Sequence, residues 1–275
     1  MTASQSDKAA SFRALHQGPA FVIPNPYDIG TTRILTALGF SALATTSAGF
    51  AFSIGRKDGA ITRDEALAHC RTIVETTHLP VSADLENGFG DAPAAAAETV
   101  RLAAGVGLVG CSIEDSTGNR DRPIYELSHA VERIAAAVAA ARGVGFPFTL
   151  TARAENFLHG RPDLDDTIRR LQAFEKAGAD VLYAPGLRDI ATIRAVCSAV
   201  SRPVNVLMGS KGNAIPVAEL ADAGARRISV GGALAGAALG AFLRAAREIK
   251  EHGTFGYAEH SATHGEISAF MAGRG

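Results

Sequence analysis

Four acidic residues have side chains and positions suited to binding a divalent cation. Asp84 and Glu86 follow one short apolar run, Glu114 follows the next one, and Asp58 lies on a loop before both. A hard cation such as Mg2+ takes a few carboxylates and completes its shell with water and substrate oxygens. We therefore interpret the four as Mg2+ ligands, with Mn2+ as a substitute. The alternative is that Asp84 and Glu86 only form salt bridges at a loop.

Two further features could bind the anionic groups of a substrate. The guanidinium of Arg153 can pair two N–H groups with one carboxylate, a geometry that lysine does not reproduce. Its alternative role is to neutralise Glu114 or Glu155. The stretch 45–49, TTSAG, is small and rich in hydroxyls, so its backbone N–H groups could approach an enolate or carboxylate oxygen. The alternative is a tight turn selected for packing.

The elements that position these residues are predicted from hydrophobic periodicity. Eight short apolar runs predict strands at 20–24, 42–45, 80–83, 108–113, 148–151, 180–184, 203–207 and 227–230. The amphipathic stretches between them predict helices, among them 63–77, 92–104, 126–142, 163–177 and 188–199. This alternation predicts a (β/α)8 TIM-type barrel, in which residues at the strand ends converge on one face. An open doubly wound sheet is the alternative.

The bulk properties indicate one soluble domain over residues 1–275, with 255–275 as a C-terminal tail. The 27 basic and 28 acidic residues are balanced and scattered, which argues against nucleic-acid and membrane-surface partners and favours a small molecule. Three distantly spaced cysteines favour a reducing compartment, and no signal or membrane-spanning segment is evident. We expect a cytoplasmic protein whose tail covers a neighbouring subunit or its own barrel.

Other motifs are weaker candidates for a functional role. Gly231 and Gly232 open the helix after the eighth strand, where barrels often bind phosphate, but glycines are common at helix starts. His260 and His264 have metal-ligand spacing without a third ligand nearby. Cys111 lies inside a strand and is interpreted as a small buried hydrophobe.

Several motifs together resemble the isocitrate lyase/phosphoenolpyruvate mutase superfamily. They are TTSAG at 45–49, SIGRKD at 53–58, SADLENGFG at 82–90, IED at 113–115, TARAE at 151–155 and PVNV at 203–206. The resemblance covers about residues 12 to 250. It implies a barrel with a Mg2+ site, an intermediate of pyruvate-enolate type, and a homotetramer whose terminal helices are exchanged between subunits.

By position, the resemblance implies a role for each site residue. Asp84 would bind the metal, and Asp58, Glu86 and Glu114 would contribute directly or through water. Arg153 would bind the substrate carboxylate. The backbones of Thr46 and Ser47 would bind the oxo oxygen and the carboxylate, and Asn205 would line the pocket. Glu86 stands where the family commonly has Asp, and the Thr-Thr-Ser turn replaces a more glycine-rich one.

The departures from the family concern the type of reaction. The isocitrate and methylisocitrate lyases carry a catalytic Cys on the loop after the fourth strand, whereas residues 115–123 contain neither Cys nor His. They also place a Glu after the sixth strand, where this chain has Ala184-Pro185-Gly186. Asn119 could mimic the pocket-covering asparagine of the phosphonomutases.

The favoured function is therefore Mg2+-dependent C–C lyase cleavage of a small 2-oxo or 2-hydroxy carboxylic acid, distinct from orthodox isocitrate or methylisocitrate cleavage. Two alternatives stay open. One is P–C chemistry, as a phosphonomutase or phosphonopyruvate hydrolase. The other is a non-catalytic 2-oxo acid binding protein.

Overall fold

A computed structural model describes residues 3–272 of the chain. Its centre is a sheet of eight parallel strands, β1 (Phe21–Ile23), β2 (Leu43–Ala44), β3 (Val81–Asp84), β4 (Gly110–Glu114), β5 (Thr149–Arg153), β6 (Val181–Tyr183), β7 (Val204–Leu207) and β8 (Arg227–Ser229). Hydrogen-bonded neighbours run β1, β8, β7, β6, β5, β4, β3, β2. The Ala44 N–H donates to the Pro24 carbonyl at 3.1 Å and joins β2 to β1. The predicted (β/α)8 barrel is confirmed, and the open-sheet alternative is wrong.

Helices alternate with the strands around the barrel. They are α1 (Gln5–Leu15), α2 (Ile29–Ala37), α3 (Ser47–Ser53), α4 (Arg63–Thr76), α5 (Pro93–Gly105), α6 (Leu127–Arg142), α7 (Leu164–Lys176), α8 (Ile190–Ser198), α9 (Val217–Asp222), α10 (Ala233–His252) and α11 (His264–Met271). The five helices predicted by range are confirmed to within two residues at each end. Local chemistry sets these ends: the Thr62 hydroxyl accepts from the Glu65 N–H, and the Glu65 carboxylate accepts from the Thr62 N–H.

One row of residues crosses the barrel interior in strand register. Glu114 pairs with Arg153, Arg153 with Tyr183, Tyr183 with Asn205, and Asn205 with Arg227. Registered neighbours in a parallel sheet project from the same face, so these polar side chains line the inside of the barrel. The row begins at strand ends with Glu114 and Arg153 and descends to the first residue of β8.

Helix α1 closes the N-terminal end of the barrel. Phe12 is fully buried there, and its ring packs edge-on against His16, with ring centroids 4.8 Å apart. A Cβ at Gly110 would lie 3.1 Å from the Phe12 ring and 2.6 Å from the Thr149 carbonyl, so only glycine fits between them. The opposite end, at the C-terminal ends of the strands, is open for a functional site, which is where (β/α)8 barrels place theirs.

The C-terminal region extends beyond the barrel, as predicted. Helix α10 is 20 residues long, and Ala235 is its one buried residue. After a 3-10 turn at Gly256–His260, α11 packs on α2 of the same chain, where Arg33 donates a hydrogen bond to the Met271 carbonyl. Residues 273–275 of the predicted tail lie outside the described residues. None of the described helices combines the length and apolar character needed to cross a membrane.

Candidate active site

Asp84, the last residue of β3, is the centre of the site. Its Oδ2 accepts hydrogen bonds from the Ser47 hydroxyl at 2.8 Å and from the Ser47 N–H at 3.3 Å. Its Oδ1 accepts from Arg153 Nη1 at 2.8 Å, and its own N–H donates to Thr45 Oγ1 at 3.2 Å. The strand ends thus bring together Asp84, Ser47 and Arg153, which lie far apart in the sequence.

Arg153, at the end of β5, is surrounded by carboxylates. Its guanidinium nitrogens lie 2.8 Å from Asp84, 3.1 Å from Glu114 and 2.9 Å from Glu155. Burial alone would lower the pKa of Arg153, but Glu155, Glu114 and Asp84 together raise it well above its usual value. The guanidinium therefore stays charged and does neutralise Glu114 and Glu155, the alternative role considered for it. It can bind a substrate carboxylate by exchanging one of these partners.

Glu114 and Glu86 are half-buried carboxylates with too little compensating positive charge around them. Burial raises the pKa of Glu114 well above its usual value, although Arg153 opposes the shift. Burial, followed by repulsion from Asp84 and Asp58, raises the pKa of Glu86 to about 7. Glu86 Oε1 is buried without a hydrogen-bond partner, and the Glu86 backbone has φ +48°, an uncommon conformation for a residue with a side chain. A buried, unpaired acceptor of this kind is costly unless a cation or water meets it.

The donor set fits a hard divalent cation. Asp84, Glu86, Glu114 and Asp58 offer only oxygen atoms, the preferred ligands of Mg2+. Within residues 3–272, however, no three acidic, histidine or cysteine side chains are arranged to hold a metal by themselves. A cation here would therefore complete its shell with water and substrate oxygens. A cavity of about 10 Å³ bordered by Ser47, Asp84 and Glu86 has room for roughly one water molecule.

Asp58 and Thr46 flank this cluster. Asp58 lies on the loop after α3, where partial burial and then repulsion from Asp84 raise its pKa. Thr46 caps α3 by accepting a hydrogen bond from the Gly49 N–H at 3.2 Å. A Cβ at Gly49 would come within 2.6 Å of the Thr46 side chain, so the turn requires glycine there. Residues 45–49 therefore have both of the roles considered for them. Gly49 and Thr46 form a closely packed turn, and the Ser47 N–H donates to Asp84 in the site.

The two predicted asparagines lie in different places. Asn205 is buried in the barrel interior, and its amide is occupied by Arg227 and Ser229. Asn119 is exposed on the loop between β4 and α6, where its side-chain oxygen accepts from the Asp121 N–H at 2.9 Å. It borders a separate cavity of about 440 Å³ and is not brought to the carboxylate cluster.

Several residues of the site were not among the predicted ones. Glu155 Oε1 accepts a hydrogen bond from Arg153 Nε and lies 2.9 Å from Arg153 Nη2, and the Glu155 N–H donates to Asp115 Oδ1 at 2.8 Å. Asp115 in turn pairs with the buried Arg170 at 3.1 Å. Tyr183 lies beneath Arg153, whose guanidinium carbon is 5.0 Å from the ring centroid. The alternation of side chains along a strand could have indicated Tyr183 from the sequence, because it puts Thr151 and Arg153 of β5 and Tyr183 of β6 on the inner face of the barrel.

The weaker motifs take structural positions. Asn25 Oδ1 accepts from the N–H groups of Val230 and Gly231 at 3.0 and 2.8 Å, so these amides are already occupied. His260 and His264 are exposed in the tail. Cys111 is fully buried, and burial raises its thiol pKa, which confirms the interpretation as a small hydrophobe.

Comparison with known proteins places this arrangement in a family. The model of the family described as phosphoenolpyruvate phosphomutase matches residues 12–250. The chain belongs to the isocitrate lyase/phosphoenolpyruvate mutase superfamily. The resemblance stated from the motifs is therefore confirmed, over the same residues.

Individual relatives match most of this chain. A crystal structure from Burkholderia cenocepacia J2315, named provisionally as a lyase/mutase, is 59% identical with a TM-score of 0.95, covering 98% of this chain and 96% of that one. Probable 2-methylisocitrate lyase 1 of Corynebacterium glutamicum is 29% identical over 89% of this chain and 82% of that protein. Oxaloacetate decarboxylase of Bradyrhizobium diazoefficiens is 30% identical over 70% of this chain and 68% of that protein. These relatives are named as lyases, mutases or decarboxylases, which supports the prediction that this protein is an enzyme.

Proposed function

We propose that this protein is a Mg2+-dependent lyase that cleaves a C–C bond of a small 2-oxo or 2-hydroxy carboxylic acid through a pyruvate-enolate-like intermediate. The observation that carries the proposal is the excess of buried and half-buried carboxylates at the strand ends. Asp84, Glu114 and Glu155 share the single guanidinium of Arg153, while Glu86 keeps a buried unpaired oxygen. A divalent cation would offset this negative charge.

The metal would be held by Asp84, Asp58, Glu86 and Glu114, directly or through water. When bound, it would polarise the oxo or hydroxyl oxygen of the substrate as a Lewis acid.

The chain's own residues would orient the substrate. Arg153 would take the substrate carboxylate as a bidentate partner in exchange for Asp84. The hydroxyl and N–H of Ser47 both point to one oxygen of Asp84, so they are already aimed at a negatively charged position. The backbone of Thr46 would add a donor beside Ser47. Donors fixed in this way stabilise charge that develops on an enolate oxygen.

The loop sequences favour decarboxylation or a related cleavage over orthodox isocitrate-type chemistry. The segment between β4 and α6 contains no Cys or His, and 184–186 contains no acid. The proton-transfer groups of the isocitrate lyases are therefore absent from these positions. A relative named oxaloacetate decarboxylase supports a substrate of this size. P–C cleavage is an outcome of the test below.

The test is a turnover screen of purified protein with Mg2+ or EDTA. Oxaloacetate, 2-methylmalate, 2-methylisocitrate, isocitrate and phosphonopyruvate are offered, and pyruvate, glyoxylate, oxalate and phosphate are detected separately. Asp84→Asn is expected to abolish turnover, and Asp222→Asn, an exposed acid at the end of α9, is the matched control. Full activity of Asp84→Asn would refute the metal assignment. Phosphate released only from phosphonopyruvate would replace C–C by P–C chemistry, and tight binding without turnover would indicate a binding protein.

We also propose that the protein is a homo-oligomer assembled through α10. This helix exposes Leu239, Phe242 and Leu243 by 46%, 73% and 48%, a row of large apolar side chains that a monomer leaves in water. The resemblance to the superfamily suggests a tetramer with exchanged terminal helices. Light scattering during size-exclusion chromatography tests this: Phe242→Glu is expected to reduce the assembled mass, and a monomeric wild type would refute the proposal.

A further inference from the structure

The loop between β4 and α6 is closed at its base by backbone hydrogen bonds. The Asp115 N–H donates to the Arg153 carbonyl at 3.2 Å, and the Tyr125 N–H donates to the Asp115 carbonyl at 2.8 Å. The two ends of this 115–125 loop therefore lie side by side, next to the end of β5.

One buried guanidinium holds both ends of the 115–125 loop. Arg170 of α7 is 5% exposed, and its Nη1 donates to Asp115 Oδ2 at 3.1 Å and to the Tyr125 carbonyl at 2.8 Å. Its Nε donates to Asp166 Oδ2 at 2.8 Å, one helical turn earlier on α7. Because a guanidinium is planar and presents its donors in a fixed arrangement, these three acceptors fix both its position and its plane.

Asp115 connects this guanidinium to the candidate substrate-binding arginine. Its other oxygen, Oδ1, accepts from the Glu155 N–H at 2.8 Å. Glu155 Oε1 in turn lies 2.9 Å from both Nε and Nη2 of Arg153. Asp115 and Glu155 are each 2% exposed. A continuous path of buried contacts therefore runs from Arg170 through these two acids to Arg153.

Glu155 is more deeply buried than the other two carboxylates around Arg153. Its side chain is 3% exposed, whereas the side chains of Glu114 and Asp84 are 14% and 21% exposed. A substrate carboxylate that enters from solvent meets Asp84 and Glu114 first and can exchange with one of them. Glu155 is then the partner that Arg153 keeps, and it sets the plane of the guanidinium.

We infer that Arg170 is a positioning residue for substrate binding. Through Asp115 and Glu155 it orients the guanidinium of Arg153. Through Asp115 and Tyr125 it holds the base of the loop beside the same site. This role rests on the proposed function, since Arg153 is taken to bind the substrate carboxylate.

The experiment measures the binding of oxalate, a planar dianion that resembles an enolate, by calorimetry in the presence of Mg2+. Arg170→Lys keeps the positive charge beside Asp115 but cannot meet three acceptors in one plane. It is expected to weaken oxalate binding on the order of tenfold. Binding of Mg2+ alone is expected to keep its affinity and stoichiometry, which shows that the variant is folded. Arg169→Lys, its exposed neighbour on α7 that pairs with Asp166, is the matched control and is expected to bind oxalate like the wild type.

Tryptic cleavage of the loop gives a second measurement. Arg120 is exposed on the loop and is followed by Asp121, so trypsin can cut between them. Arg170→Lys is expected to increase the rate of this cleavage several-fold, measured by mass spectrometry, because the loop base opens more often. Arg169→Lys is expected to leave the rate unchanged. Equal rates in Arg170→Lys and the wild type would overturn the part of the inference that concerns the loop.

A double-mutant cycle tests the path to Arg153. On an Arg153→Lys background, Arg170→Lys is expected to cause no further loss of oxalate affinity, because Arg170 acts through Arg153. Fully additive losses, or equal oxalate affinity of Arg170→Lys and the wild type, would overturn the inference and leave the proposed function standing. An equal loss of Mg2+ binding in Arg170→Lys would indicate a purely structural role and would also overturn it. A wild type that binds Mg2+ but not oxalate would overturn both the proposed substrate class and the inference.

Discussion

Replacing Glu86 by glutamine is expected to stabilise the protein at neutral pH and to make its stability less sensitive to pH. Burial first, and then Asp84 and Asp58, raise the pKa of Glu86 from its ordinary 4.5 to about 7. The folded state therefore holds this proton more tightly than the unfolded state. Between these two values the folded state binds more protons, so stability falls as the pH rises. Glutamine resembles the protonated acid and removes this dependence.

The size of the effect follows from the shift. The rise from 4.5 to about 7, at ~1.4 kcal/mol for each pKa unit, gives about 3.5 kcal/mol, and partial exposure of Glu86 reduces this to about 2–3 kcal/mol. For a chain of this size that is roughly 4–10 °C in Tm. Tm is measured from pH 4.5 to 8 in EDTA, with exposed Glu251→Gln as the control. Glu86→Gln and wild type are expected to agree at pH 4.5 and to diverge by pH 8. Parallel curves for the two proteins would refute the reasoning.

Three further substitutions test the packing and charge of the site. Gly49→Ala puts a Cβ within 2.6 Å of the Thr46 side chain and is expected to cost about 1–3 kcal/mol in chemical unfolding; an unchanged midpoint would contradict this contact. Arg170→Met leaves Asp115 buried without its partner at 3.1 Å and is expected to cost about 3–5 kcal/mol by the same assay. Arg153→Lys cannot pair two N–H groups with one carboxylate and is expected to weaken oxalate binding at least about tenfold by calorimetry, whereas wild-type affinity would exclude the bidentate role.

The sequence was sufficient to predict the barrel and the position of its acids because both depend on local patterns. Short apolar runs alternating with amphipathic stretches define strand and helix without knowledge of tertiary contacts. Once the strands are parallel, every residue that follows a strand lies at the same end of the barrel. Asp84, Glu114 and Arg153 could therefore be grouped from the sequence alone.

The partners within the site could not be predicted in the same way. The contact of Arg153 with Asp84 depends on the register between β3, β4 and β5, which is set by the closure of the whole barrel. The row from Arg153 to Arg227 spans four strands with short, unrelated sequences. Tyr183 and Arg227 were each read as part of an apolar run, although alternation alone indicates that they face inward.

The charges of the cluster connect metal binding to proton binding. Arg153 supplies one positive charge against Asp84, Glu114 and Glu155, and Glu86 adds a fourth acid whose pKa burial raises to about 7. The cluster can reduce its repulsion either by keeping protons or by binding a cation, and the two compete for the same oxygens. Mg2+ affinity is therefore expected to rise with pH through 7 in the wild type. Because protonation of Glu86 is part of this competition, Glu86→Gln is expected to lower Mg2+ affinity at pH 8 and to flatten its dependence on pH.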